Sequence, residues 1–442
     1  MKYGLIAASL GHSFSRELHA MIDDYDYVLQ ELTPEELPAF LVQRDFSGIN
    51  VTIPYKQTVL PWLDRLSPEA AAVGAVNTVV NRDGVLWGHN TDVAGMIALL
   101  ERMNAQLTGK KVLITGTGGA ALAARAAALA LGAGPVLLVS RTGRNGALTY
   151  ESARLDHGDA AFLINATPCG MAPNWDETPI APGAFPRLEG VADAIYHPLA
   201  SRLVLEARQR GIPAEGGLYM LCAQAVEAAR LFTGRDYPAD LTETVYRRLL
   251  LSKQNLVLIG MPGCGKSTVG QAAAALLDRP FVDLDREIAA GAGCSIPEIF
   301  AREGEAGFRR REREAVRSAA QKTGLVIATG GGTVLSAENV EALRHNGSLL
   351  FLDRPAAELV PTADRPLSNN REKLEALYRQ RLPIYQAAAD TVLPTAPGVE
   401  ETARRVIKCF TEEQDHEHSC FERTQSESAG PAGAGDLRLC HL

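Results

Sequence analysis

Asn255-Leu256-Val257-Leu258-Ile259-Gly260-Met261-Pro262-Gly263-Cys264-Gly265-Lys266-Ser267 decides the fold of the second half of the chain. An apolar run of strand length ends in a turn that matches G-x-x-x-x-G-K-[ST] in full, and an Ala-rich helical run follows from Val269 to Leu277. Glycines there let backbone N–H groups close around phosphate oxygens, and the helix N-terminus adds the positive end of its dipole. Lys266 is placed to neutralise β/γ charge and Ser267 to ligate Mg²⁺; Gly260, Gly263, Cys264, Gly265 and Thr268 complete the phosphate loop. The expected ligand is a nucleoside triphosphate, and the expected scaffold is a P-loop domain built on a parallel sheet.

Downstream, Pro280-Phe281-Val282-Asp283-Leu284-Asp285 reads as a strand ending in two carboxylates. Strand alternation would point Asp283 and Asp285 the same way, toward a Mg²⁺ shell and an alcohol acceptor. Then come Gly307-Phe308-Arg309-Arg310-Arg311, a strand Leu325–Ala328 leading to Gly330-Gly331-Gly332, Asp364-Arg365-Pro366, and Arg381-Leu382-Pro383-Ile384-Tyr385. Arginines bind planar carboxylates through paired hydrogen bonds, and successive glycines let the backbone approach a compact ligand. This ordered series resembles the shikimate kinase family from about Asn255 to Phe410. The resemblance implies that Asp285, Arg309 and Arg381 hold shikimate, with Gly330, Gly331 and Gly332 lining its other side. It also implies that Asp283 sits near Mg²⁺, that Lys266 and Asp285 serve catalysis, and that Arg365 is a lid arginine reaching the phosphates of ATP. The lid reads Arg-Pro-Leu-Ser, where the family commonly has a second Leu.

Upstream, Lys111–Thr115 leads into Gly116-Thr117-Gly118-Gly119-Ala120-Ala121 and an Ala-rich helix. That fits G-x-G-x-x-G/A in strand–turn–helix context, the dinucleotide fingerprint. After the next strand, Pro135–Val139, stands Ser140-Arg141-Thr142 with Arg144 beyond, in place of the acidic residue that takes ribose hydroxyls. A cation and hydroxyls there suit a 2′-phosphate and hence NADP. The first hundred residues supply clustered hydrogen-bonding side chains: Ser13 and Ser15, Thr52 and Lys56, Asn77, and Asp92 in Asn90-Thr91-Asp92. A lysine–aspartate pair in a cleft can move a proton, because a desolvated lysine has an adjustable pKa.

These motifs resemble the shikimate dehydrogenase family over about residues 1 to 235. The resemblance implies Lys56 and Asp92 as the catalytic pair. Ser13, Ser15, Thr52, Asn77, Tyr196 and Gln224 become substrate contacts, and Asn165, Thr167 and Gly217 nicotinamide-side positions. The expected chemistry is NADPH-dependent reduction of 3-dehydroshikimate to shikimate, followed by ATP-dependent phosphorylation of shikimate. Two departures stand out. Arg16 replaces the usual proline after Ser15, and the segment from Gly143 to Phe162 is short enough to suggest a missing crossover helix. One alternative keeps the kinase and makes the first half a non-catalytic shikimate-binding module; another gives the dehydrogenase a related substrate such as quinate.

The fold expectation is therefore α/β throughout: a substrate domain at 1–105, a Rossmann-like NADP domain at 106–235, a linker at 236–254 and the P-loop domain at 255–410. The tail, 411–442, is Gly/Ala/Ser-rich and charged and is expected to be disordered. With 442 residues there is length for separate cores, and a net charge of −8 argues against a DNA or RNA partner. Seven cysteines, none in CxxC spacing, argue for a reducing compartment, and no apolar stretch reaches membrane-spanning length. The expectation is a cytoplasmic enzyme with small-molecule partners and neither nucleic acid nor membrane.

Overall fold

The computed structural model describes residues 2–11, 13–359, 371–423 and 438–439. The chain divides into two compact units between Leu249 and Leu250. The first unit contains two lobes, each with its own sheet.

The first sheet comprises β1 (Tyr3–Ala7), β2 (Tyr27–Glu31), β3 (Gly48–Val51), β4 (Arg65–Leu66), β5 (Thr78–Arg82) and β6 (Val85–His89), in the order β2-β1-β3-β5-β6-β4. β1 pairs in parallel with β2 and β3, whereas β5 runs antiparallel to both β3 and β6. The sheet is thus mixed, not purely parallel. Asp83-Gly84, with φ values of 52° and 85°, forms the two-residue turn that makes β5 and β6 a hairpin.

The second sheet comprises β7 (Val112–Thr115), β8 (Val136–Ser140), β9 (Leu148–Thr149), β10 (Phe162–Asn165), β11 (Gly190–Asp193) and β12 (Ala214–Glu215), in the order β12-β11-β10-β7-β8-β9. Its pairings are parallel. Small side chains bring the helix Gly119–Ala130 close to it, with Ala121, Ala123, Ala124, Ala127 and Ala128 buried. The crossover helix suspected to be missing is present, shortened to seven residues, Tyr150–Asp156. Left-handed Gly143, Asn145 and Gly146 turn the chain tightly enough to leave room for it, and Thr149 caps it by accepting from Ser152 N.

Two expected boundaries move. The helix Leu218–Thr233, assigned by sequence to the second lobe, packs along Thr91–Arg102 of the first, and its Phe232 stacks on Tyr3 with ring centroids 5.3 Å apart. Gly95 makes the helix contact possible: a Cβ there would lie 2.7 Å from the Met220 carbonyl oxygen. The stretch 236–254, read as a linker running into a helix-like segment that ends near Leu251, forms the helix Leu241–Lys253, with Val245, Tyr246 and Leu249 buried within the first unit. Buried Arg102 ion-pairs with Glu243 and lies 4.7 Å and 4.5 Å from the ring centroids of Tyr219 and Tyr246. That arrangement supplies cation–π attraction beside the ion pair.

The second unit carries β13 (Asn255–Ile259), β14 (Phe281–Asp283), β15 (Val326–Ala328), β16 (Gly347–Asp353), β17 (Thr391–Pro394) and β18 (Arg438–Leu439), in the order β14-β15-β13-β16-β17-β18 with parallel pairings. Its core is the buried run Leu256–Ile259 with Leu349–Leu352 beside it. β14 stops at Asp283 and a helix begins at Leu284, so Asp285 is helical and strand alternation does not relate the two aspartates. The last helix runs from Val399 to Arg423, so the first part of the expected disordered tail is helical. Residues 424–437 and 440–442, and Arg365 with the rest of the lid motif, lie outside the described residues.

Candidate active sites

In the first unit, Lys56 leaves the turn after β3. Tyr55 anchors that turn: it is buried, and its hydroxyl donates to the Leu32 carbonyl at 2.6 Å. Lys56 Nζ meets Asp92 Oδ2 at 2.5 Å, with side-chain exposures of 19% and 8%. Asp92 lies in the first turn of Thr91–Arg102, where the helix dipole favours a carboxylate. Its second oxygen, Oδ1, accepts from Asn77 Nδ2 at 2.9 Å. Asn77 also accepts from Thr91 N at 2.7 Å, and Gln224 Oε1 lies 3.5 Å from Asn77 Nδ2 and 3.4 Å from Thr91 Oγ1. Five side chains from four segments thus form one largely buried polar cluster around a single ion pair.

Ser13 Oγ donates to Ser15 Oγ at 3.0 Å, and between them Phe14 packs on Tyr196 at 5.4 Å, which brings the Tyr196 ring to the serine turn. Thr52 is half-buried one strand-end away, its N–H bonded to the Ile6 carbonyl at 3.1 Å.

The glycine turn of the second lobe meets this cluster. Gly118 caps the helix Gly119–Ala130, with Ala120 in its first turn. A Cβ on Gly119 would lie 3.5 Å from Lys56 Cδ and 3.5 Å from Ala75 Cβ. Gly116, at φ 110°, passes so close to Ala166 that a Cβ would lie 2.9 Å from its carbonyl oxygen. Arg141 and Thr142 are exposed at the end of β8, and Ser140 Oγ accepts from Gly143 N at 3.1 Å, closing the turn.

Asn165 and Thr167 shape the turn after β10. Asn165 is fully buried, and its Oδ1 accepts from Thr115 Oγ1, Thr167 N and Thr167 Oγ1 at 2.8, 3.0 and 2.7 Å. Its amide is consumed in shaping the turn. Gly217 fits under the Ala194 carbonyl oxygen, where a Cβ would come within 2.3 Å.

In the second unit, Gly260, Gly263 and Gly265 have φ values of 146°, 83° and 101°, which glycine adopts readily. Ser267 and Thr268 follow in the first turn of Lys266–Leu277. Lys266 is buried, its Nζ donating to the Gly260 and Met261 carbonyls at 2.8 and 2.9 Å. Cys264 Sγ lies 3.8 Å from it. Asp283 Oδ1 accepts from Asp285 N and Arg286 N at 3.1 and 3.3 Å, capping the helix with one oxygen.

The glycine run organises the rest of this site. Cβ atoms would meet Asp285 Oδ1 at 2.8 Å from Gly330, Pro262 at 2.6 Å from Gly331, and the Arg309 guanidinium at 2.6 Å from Gly332. The Gly331 carbonyl accepts from Arg381 Nη1 at 2.8 Å and from the Tyr385 hydroxyl at 2.5 Å. One turn therefore gathers a carboxylate, two guanidinium groups and the phosphate loop. Sequence reading missed Glu312, which is buried and bridges Arg309 Nη1 and Thr333 Oγ1 at 2.8 and 2.9 Å. Its signal is the spacing: three residues after Arg309 on a helix places the two side chains on one face.

Comparisons with known proteins agree with this division. The shikimate kinase family model matches residues 262–411, and the shikimate dehydrogenase substrate binding domain matches residues 5–79. A shikimate dehydrogenase (NADP(+)) of Moorella thermoacetica is 33% identical over 277 residues, covering 56% of this chain and 94% of that protein. Its counterpart in Methanothermobacter thermautotrophicus is 36% identical, covering 56% and 96%. Among solved structures, shikimate 5-dehydrogenase of Thermus thermophilus in complex with NADP(H) and shikimate superposes with a TM-score of 0.51 at 32% identity, covering 56% of this chain and 99% of that one. Quinate dehydrogenase of Corynebacterium glutamicum in complex with NAD gives 0.50 at 28%, covering 57% and 98%.

Proposed function

We propose that this chain, which belongs to the shikimate dehydrogenase family and carries a shikimate kinase domain after it, catalyses two consecutive reactions. The first is NADPH-dependent reduction of 3-dehydroshikimate to shikimate, and the second is transfer of the ATP γ-phosphoryl group to shikimate. The observation that carries the reading is the approach of Gly119, in the dinucleotide turn, to Lys56 of the Lys56–Asp92 pair. A hydride donor bound on that turn would have its reacting end beside a proton donor.

NADPH supplies the hydride. Lys56 then gives a proton from Nζ to the oxygen that becomes the hydroxyl, while Asp92 holds the ammonium in place. Asn77, held by Thr91 and Gln224, orients Asp92, and these three offer amide and hydroxyl groups to the substrate, as do Ser13, Ser15, Thr52 and Tyr196. Arg141 and Thr142 would take the adenosine 2′-phosphate.

In the kinase, Arg309 and Arg381 bind the shikimate carboxylate, and Asp285 accepts the proton of the attacking hydroxyl. Glycine turns at positive φ and a helix N-terminus fit the triphosphate, with Lys266 neutralising it. Ser267 would hold Mg²⁺. Asp283, with one oxygen committed to its helix cap, would reach the ion through the other. Catalysis rests on positioning and charge neutralisation.

Absorbance at 340 nm with NADPH and 3-dehydroshikimate, followed by ATP addition and ADP detection, tests both reactions in one cuvette. Absence of NADPH oxidation, with ADP formed once shikimate itself is supplied, would leave the first unit a binding module. Quinate with NAD serves as the comparison substrate, since a quinate dehydrogenase superposes on the first unit comparably.

A further inference from the structure

Asp193, at the end of β11, has no exposed surface. Its carboxylate accepts from neutral donors: Ser201 Oγ at 2.6 Å, Ile195 N at 2.9 Å and Asn165 Nδ2 at 3.0 Å. Through Asn165 it reaches Thr115, the residue before Gly116, and Thr167. Through Ile195 it reaches Gly217, whose N–H donates to the Ile195 carbonyl at 2.8 Å, and next in chain stands Tyr196, packed on Phe14 between the two serines. Ser201 caps the helix Arg202–Gln209. One buried carboxylate thereby ties together the C-terminal ends of β7, β10 and β11, where ligands bind on open α/β sheets. Burial pushes this carboxyl up to about 6. A carboxylate kept here opposes folding at neutral pH, so a purely structural role would be better served by a neutral side chain.

We propose that Asp193 is a positioning residue for the dehydrogenase: it sets the height of the turns at Asn165–Thr167, Ile195 and Gly217 that face the nicotinamide end of the cofactor. The proposal rests on the dinucleotide site proposed above. Asp193 touches neither cofactor nor substrate and acts through Asn165 and Ile195.

The test uses the full chain carrying Asp193→Ala or Asp193→Asn. NADPH affinity is read by fluorescence titration, shikimate affinity by its KM in NADP-linked oxidation without ATP, which only the dehydrogenase site supports, and hydride transfer by the isotope effect from deuterated NADPH. Asp193→Ala should weaken NADPH by about fivefold or more and enlarge the isotope effect, with shikimate affinity within about twofold. Asp193→Asn, which keeps an acceptor oxygen for Ile195 and Asn165, should recover most of the loss. Equal weakening of shikimate and NADPH, or no change in either, overturns the proposal. Should Asp193→Ala not accumulate folded, Ser201→Ala carries the test: it removes one donor, and unchanged NADPH affinity there overturns the proposal. A wild type that binds NADPH but turns over nothing would strike the reaction assignment while leaving this dependence on Asp193 measurable.

Discussion

Gly119 and Lys56 come from different lobes, and a methyl group on the glycine would lie 3.5 Å from Lys56 Cδ. Lys56 Nζ is in turn 2.5 Å from Asp92 Oδ2. Lys56→Ala removes the proposed proton donor without adding bulk at this junction. Dehydrogenase kcat should fall by about 10²–10⁴, with ADP formation from shikimate and ATP unchanged. Turnover surviving within about tenfold, a barrier change under about 1.4 kcal/mol, would remove Lys56 from the chemistry. Lys266→Ala should give the reverse pattern, and loss of both activities from either change would rule out separable sites.

Glu312→Ala tests the support beneath the shikimate-binding arginine. Glu312 is buried and holds Arg309 at 2.8 Å. Without it the guanidinium loses its fixed orientation, so the shikimate KM of the kinase should rise about tenfold while the KM for ATP stays within about twofold. An equal rise in both would mean that Glu312 supports the domain as a whole.

The phosphate loop, the dinucleotide turn and the ordered arginines were legible because each is a local pattern whose chemistry depends on spacing. Glu312 and Thr91 were not singled out, because a buried glutamate and a helix-start threonine read as ordinary surface and cap residues until the fold places them. Asp283 and Asp285 were read as strand neighbours because the sequence does not mark where β14 stops; the Asp283 cap marks it. The crossover helix was read as missing because seven residues carry too little apolar period to recognise. The packing of helix Leu218–Thr233 on the first lobe is not legible in the sequence, because its partner lies more than a hundred residues earlier, a contact that no local pattern encodes.

That long-range packing predicts where the dehydrogenase ends. A chain cut after Arg235 lacks Glu243 and Tyr246, which enclose buried Arg102. It also loses the buried side chains Val245, Tyr246 and Leu249, about 1.5–3 kcal/mol for each apolar side chain, read as a lower unfolding midpoint in urea. A cut after Lys253 should retain them. Equal midpoints for the two would show the helix Leu241–Lys253 to be dispensable.

The pH dependence of stability follows from two buried groups. His19 is stacked on Tyr27 with centroids 3.8 Å apart, and burial lowers its imidazole to about 3. The unfolded chain takes up its proton near pH 6.5, so this contribution is present above that pH and lost as pH falls toward about 3. Asp193, raised to about 6, acts oppositely: its contribution is present at low pH and lost as pH rises through about 6. The two largely cancel between about pH 4 and 6. The stability difference between wild type and His19→Phe should therefore grow with pH by about 1.4 kcal/mol per unit up to about 6.5 and then level off. A difference independent of pH would mean that His19 titrates normally in the folded chain.

Cofactor choice rests on the most exposed part of the site. Arg141 and Thr142 are solvent-facing, and Ser140 already closes its turn by accepting from Gly143 N. A charge-assisted hydrogen bond contributes about 1.5–3 kcal/mol, but exposure and screening place Arg141 at the lower end. NADPH should therefore be preferred over NADH by about tenfold in kcat/KM. Arg141→Ala should reduce that preference by raising the NADPH KM and leaving kcat nearly unchanged, because the 2′-phosphate lies far from the reacting carbon. Salt separates charge from shape. If Arg141 acts by attraction, the preference should shrink steadily as ionic strength rises from about 0.01 to 1 M, where the Debye length falls from about 30 to 3 Å. A salt-independent preference would assign discrimination to the shape of the turn at Gly143. Equal kcat/KM for the two cofactors at low salt would refute the assignment of NADP itself.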